Sequence, residues 1–360
     1  MPLLLCVDCG GSKTAATLAD PDGTVRAHGF GGPSNFAYLS LDAFISAVKK
    51  AIIATLENYA ALAGDVPTTL PPTTDLFVAA WFGVSGVDSP AAVEAITPAL
   101  SRLLNIPTGP RLKVTNDTHL LAAPIRMYDD ISHGVAVISG TGAIAASFKD
   151  DGQDFQEFGR VGGWGWILGD EGGGFSVGRE AIRQMLAETD KASVGGNPPP
   201  ESILTSRILE YFGINNVMEV LTVVHLPDPI PSNPVSPNAP LYTRMVREKR
   251  LSSLSPLVFD AAFKDSDWLA LRVLRTCARD LAVQIAILLA KEGDDSPRAV
   301  KASEAVISFG GSLVAVQAYR DLVLEELKER GHVFKYVDYL STPQAMGAVG
   351  LSVAFKGGIA

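Results

Sequence analysis

The chain has 360 residues, 47% of them apolar and 19% charged, with 30 basic against 39 acidic side chains and a formal net charge of −9. That length accommodates two domains with buried cores, and an acidic chain without a long basic run is a poor binder of nucleic acid or anionic membrane. No apolar stretch reaches the roughly 18 residues of a membrane span. The first apolar run breaks at Asp8 without a basic leader, so no signal peptide is expected, and three cysteines make no disulfide framework, so a reducing cytoplasm is the expected setting.

Residues 3–7 form an apolar run that ends in Asp8-Cys9-Gly10-Gly11-Ser12-Lys13-Thr14. The pattern predicts a buried strand entering a tight turn of free backbone N–H groups. Glycines let such a backbone curl round a phosphate; Lys13 adds a positive charge, and Asp8 can hold the water shell of Mg²⁺. Taken alone, this stretch fits a ligand-free hairpin turn equally well. Cys6 and Cys9 lack the second pair a zinc site needs, and residues three apart on a strand face opposite sides, so both read as structural thiols.

Strands follow at 15–19 and 25–28 around the turn Pro21-Asp22-Gly23. Leu41, Phe44, Ile45, Val48, Ile52 and Leu56 share one face of a long helix. The Pro/Thr-rich segment 66–74 is a loop. Residues 76–84 read as a buried strand ending in Ser85-Gly86-Val87-Asp88, and 112–114 as another ending in Thr115-Asn116-Asp117. The order β-β-β-α-β-α-β describes a mixed-sheet α/β domain closing near residue 118. The pattern then restarts. A strand at 134–138 ends in Ser139-Gly140-Thr141-Gly142, and strands at 143–148 and 155–158 flank Asp150-Asp151-Gly152, which argues for an internally duplicated fold. Helices are predicted at 180–189, 202–212, 269–291, 322–330 and 343–355, with a buried strand at 305–309 that ends in Gly310-Gly311-Ser312. Residues 227–240 carry six prolines among polar residues and read as a mobile, dispensable insertion.

Three strand ends thus carry Gly with Ser or Thr, and two carry an acid, Asp8 and Asp117. Ligands of α/β sheets collect at the carboxyl ends of strands, and one nucleotide explains the whole set. Gly10, Gly11, Ser12, Lys13 and Thr14, with Gly140, Thr141 and Gly142, would hold its phosphates; Gly310, Gly311 and Ser312 would hold its adenosine. Asp117, a carboxylate at a strand end, can orient a hydroxyl and accept its proton; the competing reading is a helix N-cap for the residues that follow.

With these motifs the chain resembles the actin/Hsp70/hexokinase superfamily, and within it the N-acetylglucosamine kinase and BadF/BadG-type ATPase family, over nearly its whole length. Further residues that carry the resemblance are Ser34-Asn35, the segment 84–88, Thr115-Asn116-Asp117, and above all the block 162–172, Gly-Gly-Trp-Gly-Trp-Ile-Leu-Gly-Asp-Glu-Gly. The resemblance implies a two-domain, ribonuclease H-like α/β fold with mixed sheets and a cleft between the domains. Residues 1–118, with 343–360 packing back, would form one domain and 119–342 the other. It implies ATP and Mg²⁺ as cofactors, a homodimer, and transfer of the γ-phosphate to the 6-hydroxyl of N-acetylglucosamine. It makes Asp117 the catalytic base, Asp8 the metal-organising acid, and Asn35, Gly86, Asp88, Asp117, Trp164, Gly165 and Asp170 the lining of the sugar pocket, with one of Trp164 and Trp166 left to the core.

Two departures stand out. Cys9 occupies a position where the family usually has Gly, and Ala143-Ile144 stand where the animal N-acetylglucosamine kinases have polar residues near the acetamido group. Alternative readings are a glucosamine kinase, a sugar- or nucleotide-sensing protein without turnover, and an ATPase that activates a CoA dehydratase. The last holds an iron–sulfur cluster on cysteines in the later half of the chain, where this sequence has only Cys277, inside an apolar helical stripe. Retention of Asp117 argues against the sensor.

Overall fold

The computed structural model describes residues 3–64, 66–152, 155–198, 200–230, 236, 238–291, 293–294 and 296–356. Strands β1 (Leu3–Cys9), β2 (Thr14–Ala19) and β3 (Val25–Gly31) are followed by helix α1 (Leu41–Ala63), β4 (Phe77–Val84), α2 (Pro90–Leu104) and β5 (Leu112–Thr115). They build a sheet of order β3-β2-β1-β4-β5. A 3₁₀ segment, Asp117–Met127, leads to β6 (His133–Ser139), β7 (Ala143–Asp150) and β8 (Phe155–Gly162). Helices α3 (Gly174–Gly195), α4 (Ile203–Phe212), α5 (Val220–Val224), α6 (Arg247–Ser252), α7 (Ser255–Phe263) and α8 (Trp268–Ala286) follow, then β9 (Ala305–Gly310), α9 (Gln317–Glu329), β10 (Tyr336–Tyr339) and α10 (Pro343–Lys356).

The second sheet runs β10-β9-β6-β7-β8. From its hairpin edge this is β8-β7-β6-β9-β10, two antiparallel pairings and then two parallel ones, the same succession that runs from β3 to β5 in the first sheet. The duplication expected from the recurring strand–turn units is therefore present at the level of topology.

Burial explains the strand composition. β1 is apolar on both faces because both are covered. Leu3, Leu5, Val7 and Cys9 pack with Phe44, Val48 and Ile52 of α1, whereas Leu4 and Cys6 join Trp81, Leu120, Ala136 and Ala348 in a cluster between the two sheets. The two cysteines thus face opposite sides. Ala348 brings α10 back against the first sheet. α1 starts on Ser40, whose hydroxyl accepts the Ala43 N–H, an N-cap of the usual kind.

The structure departs from the sequence pattern in three places. α3 begins at Gly174, six residues before the predicted helix, because glycines that read as loop are held helical by packing. At Gly178 a β-carbon would collide with the Leu251 carbonyl, so α3 and α6 touch backbone to backbone. β10 is a four-residue edge strand, too short to leave a period. The stretch 227–240 is tied to the body at its start, through Pro227 and Asp228, while residues 231–235 and 237 lie outside the described residues. Arg250 is fully buried, and its guanidinium donates to the carbonyls of Val223, Val224, Leu226 and Pro227 on one side and of Tyr242 and Met245 on the other. Asp228 also accepts the Arg247 N–H at 2.7 Å.

Candidate active site

Parallel pairing brings three strand ends level. Asp8 of β1 pairs with Gly83 of β4, and Gly83 with Thr115 of β5. The turns that follow are knitted together. Ser85 N–H donates to the Cys9 carbonyl at 2.9 Å, Phe36 N–H to the Ser85 carbonyl at 2.9 Å, and Ser34 N–H to the Gly10 carbonyl at 3.0 Å. The Thr14 hydroxyl reaches Gly32 O and Ser34 Oγ, both at 2.7 Å. Cys9 lies within β1 and needs no left-handed backbone, which is how it replaces a glycine. Gly11, Ser12 and Lys13 are exposed at the tip of the first turn, with the Lys13 ammonium 5.1 Å from the centre of the Phe30 ring.

Asp8 and Asp117 are half-buried at neighbouring strand ends. Desolvation pushes the Asp8 carboxyl up to about 6 against the pull of Lys13. Desolvation, followed by repulsion from Asp8 and Asp88, pushes Asp117 up to about 7, opposed by hydrogen bonds from the Ser85 hydroxyl and the Thr118 N–H. Asn35 completes a relay: its Nδ2 donates to Ser85 Oγ at 3.2 Å, while its Oδ1 accepts the Ala37 N–H at 2.9 Å. The capping role falls to Asn116, whose Oδ1 accepts from Thr118 N at 3.1 Å and Thr118 Oγ1 at 2.8 Å. Asp117 is therefore not the N-cap of the 3₁₀ segment. Gly86, at φ 81°, faces Asn35 and Ala37 and lets that loop close down.

Asp88 bridges the two sheets. Its Oδ1 accepts from Asn116 Nδ2 at 2.8 Å and from Arg160 Nη1 of β8 at 2.7 Å. On the second sheet, the N–H of Gly174 donates to Gly140 O at 2.8 Å and that of Phe175 to Thr141 O at 3.0 Å, so α3 springs directly from the Gly140-Thr141-Gly142 turn. Gly311 has φ 102°, and a β-carbon there would collide with the Ser139 carbonyl. The Gly310-Gly311-Ser312 turn therefore lies flat on the Gly140 turn, as one ligand spanning both requires.

The block 162–172 divides its duties. The Asp170 carboxyl accepts the N–H groups of Ala143 and Gly165, and desolvation raises it to about 6. Glu171 turns away to Arg179, at 2.8 Å, and to the Ser176 hydroxyl. Trp164 is 63% exposed, whereas Trp166 packs on Phe175 with ring centres 5.4 Å apart. Trp166 is half-buried and belongs to none of the three core clusters, so neither tryptophan is core, where one was expected to be.

A cavity of about 570 Å³ opens beside the Gly140 and Ser312 turns, a size usual for a small-molecule site. Its far wall comes from Arg244, Met245, Val246, Lys249, Ser252 and Ser255. These residues left no signal in the sequence, because short helices beside a proline-rich stretch show no periodicity.

Two duplicated mixed sheets with Gly-Ser/Thr turns at their strand ends define an actin-like α/β fold, and the chain is a kinase-like phosphotransferase that uses ATP. It belongs to the BadF/BadG/BcrA/BcrD ATPase family, whose model matches residues 5–353. It is 25% identical over 286 residues to the N-acetylmuramic acid/N-acetylglucosamine kinase of Clostridium acetobutylicum, covering 79% of this chain and 78% of that one. It is 23% identical over 260 residues to the N-acetyl-D-glucosamine kinase of Dictyostelium discoideum, with 72% and 71% covered. Among solved structures, a protein assigned as an N-acetylglucosamine kinase from Porphyromonas gingivalis superposes with a TM-score of 0.64 at 19% identity over 99% of this chain and all of its own. A ROK family glucokinase from Streptomyces griseus, solved with glucose and AMPPNP, gives 0.52 at 15% identity, with 98% and 97% covered. These likenesses bear on the fold.

Proposed function

We propose that the chain transfers the γ-phosphate of ATP to the 6-hydroxyl of an amino sugar, with N-acetylglucosamine as the preferred acceptor. The observation that carries this reading is Asp117. It is a carboxylate at a strand end, released from capping by Asn116, oriented by Ser85 and Thr118, and raised to about 7. A general base works best with a pKa near the operating pH. It would accept the sugar hydroxyl proton as the phosphoryl group leaves ADP, a transfer governed by positioning and charge neutralisation. The Gly10 and Gly140 turns would hold the phosphates and the Gly310 turn the adenosine, with the cavity beside the Gly140 and Ser312 turns open to the nucleotide. Asn35, Gly86, Asp88, Trp164, Gly165 and Asp170 would surround the sugar, with Trp164 offering a face for the pyranose.

Mg²⁺ fits this site through water. Among the described residues no group of three or more His, Cys, Asp or Glu is arranged to hold a metal directly. Asp8, however, is an under-compensated carboxylate beside the first phosphate turn, suited to a hydrated ion shared with phosphates. Mg²⁺ would neutralise the charge of the transferring group.

The same reading takes 1–118 with 343–360 as one domain and 119–342 as the other, in a homodimer of a reducing cytoplasm. Ala348 packing beside Leu4 and Cys6 supports the domain division, and the three free, buried cysteines support the compartment.

A glucosamine kinase is the second reading. Asp88, Asp117 and Asp170 would set three carboxylates round the sugar, a setting that favours an ammonium group, and Ala143-Ile144 at the start of β7 are apolar. A panel of amino sugars decides. N-acetylglucosamine should show a higher kcat/KM than glucosamine, and glucosamine higher than glucose, with gaps of no more than about 1–3 kcal/mol for one substituent. Glucosamine ahead of N-acetylglucosamine would favour the second reading; no amino sugar phosphorylated would overturn both.

The raised carboxyl also fixes a pH dependence. Asp117 acts as base only when ionised, so kcat/KM should climb as pH rises towards about 7 and level off above it. For stability the sign is opposite. A folded-state value above the ordinary 3.8 means that the folded chain holds this proton more tightly, a contribution complete at low pH and lost as pH rises through about 7. Melting temperatures of wild type and Asp117→Asn should therefore diverge with rising pH, the wild type losing ground. Parallel curves would show that Asp117 titrates normally.

A further inference from the structure

We infer that Arg244 and Lys249 form a cationic clamp for the polyphosphate of the nucleotide, held in place by the buried Arg250. The inference rests on the reading that the cavity beside the Gly140 and Ser312 turns takes ATP.

Two observations carry it. First, the wall that faces those turns is positively charged in a chain of net charge −9. Arg244 and Lys249 line the cavity, no carboxylate does, and Thr141, Ser252, Ser255 and Ser312 supply hydroxyls. Among the described residues the Arg244 guanidinium has no hydrogen-bond or ion-pair partner, and Lys249 has only a loose contact with Glu248, at 3.7 Å. A polyanion is the ligand that uses such a lining; Met245 and Val246 on the same wall, with Leu313 opposite, offer apolar surface to a base.

Second, the wall is built rather than draped. Arg250 is 0% exposed and gathers carbonyls from both segments that flank the proline-rich stretch, among them Leu226 at 2.8 Å and Met245 at 2.9 Å. At the next residue, the Leu251 carbonyl is wedged on Gly178 of α3, the helix that springs from the Gly140 turn. The backbone that carries Arg244 and Lys249 is thereby anchored relative to the Gly140 turn. A wall whose backbone is already in place costs less ordering on binding.

The test is calorimetric binding of ATP, ADP and adenosine to wild type, Arg244→Gln, Lys249→Gln and the double variant. Both side chains are exposed, so the variants should fold; melting curves check this. ATP and ADP should each bind roughly ten-fold more weakly to either single variant, the scale of a charge-assisted hydrogen bond, and weaker still to the double variant. Adenosine should bind as to wild type, and KM for the sugar should not move. Wild-type protein that binds no nucleotide would sink the reading of the cavity. Wild-type binding with unchanged ATP and ADP affinity in the double variant, or an equal loss for adenosine, would sink the clamp alone. Arg250→Lys keeps the charge but not the fork of donors. It should shift ATP affinity in the direction of the double variant while leaving sugar KM in place; a shift in both or in neither would remove Arg250 from positioning.

Discussion

Replacing Asp117 with Asn should lower turnover by about 10²–10⁴-fold, the usual contribution of a positioned base, with the fold and sugar binding retained. The amide is isosteric but accepts no proton. Nothing structural depends on the charge: Asn116 caps the 3₁₀ segment, and Thr118 and Ser85 can still donate to the amide oxygen. Loss of the charge also relieves repulsion from Asp8 and Asp88, so the variant should melt no lower than wild type near neutral pH. Single-turnover kinetics and sugar calorimetry on the same preparation separate chemistry from binding. A variant within a few-fold of wild type would remove Asp117 from the chemistry.

The second large effect concerns Arg250. Arg250→Met should cost on the order of 3–5 kcal/mol of folding stability, because it strips the partner from several buried carbonyls at once. The guanidinium serves six of them, from Val223 to Pro227 and at Tyr242 and Met245. Methionine matches much of its volume but none of its donors. Lysine should recover only part of the loss, since a single ammonium cannot spread to both segments. Urea midpoints measure the difference; a methionine variant within about 1 kcal/mol of wild type would show that water replaces the arginine without penalty.

The two cases mark what the sequence disclosed. The strand ends were legible because buried strands must be apolar and must stop where the chain turns, so Asp8, Ser85, Asp117, Gly140 and Gly310 each fell at a visible change of pattern. The repeat was legible because both sheets use the same succession of strand and turn. Whether Asp117 was a cap was not legible, since a base and a cap both place an acid before a helical turn, and only the bonds of Asn116 to Thr118 remove the capping reading. The partners of Asp88 and Asn35 were hidden for a similar reason: Arg160 lies 72 residues from Asp88, and Ser85 lies 50 from Asn35. The α6 wall was invisible because an arginine that organises carbonyls looks, in one dimension, like any charge on a short helix.

The most direct test of the account measures ADP and sugar phosphate together, with ATP, Mg²⁺ and N-acetylglucosamine supplied to the wild-type chain. The account predicts one ADP per sugar phosphate, the phosphate on the 6-oxygen, and both products suppressed in Asp117→Asn. ADP released at the same rate with and without sugar, with no phosphorylated sugar formed, would contradict it.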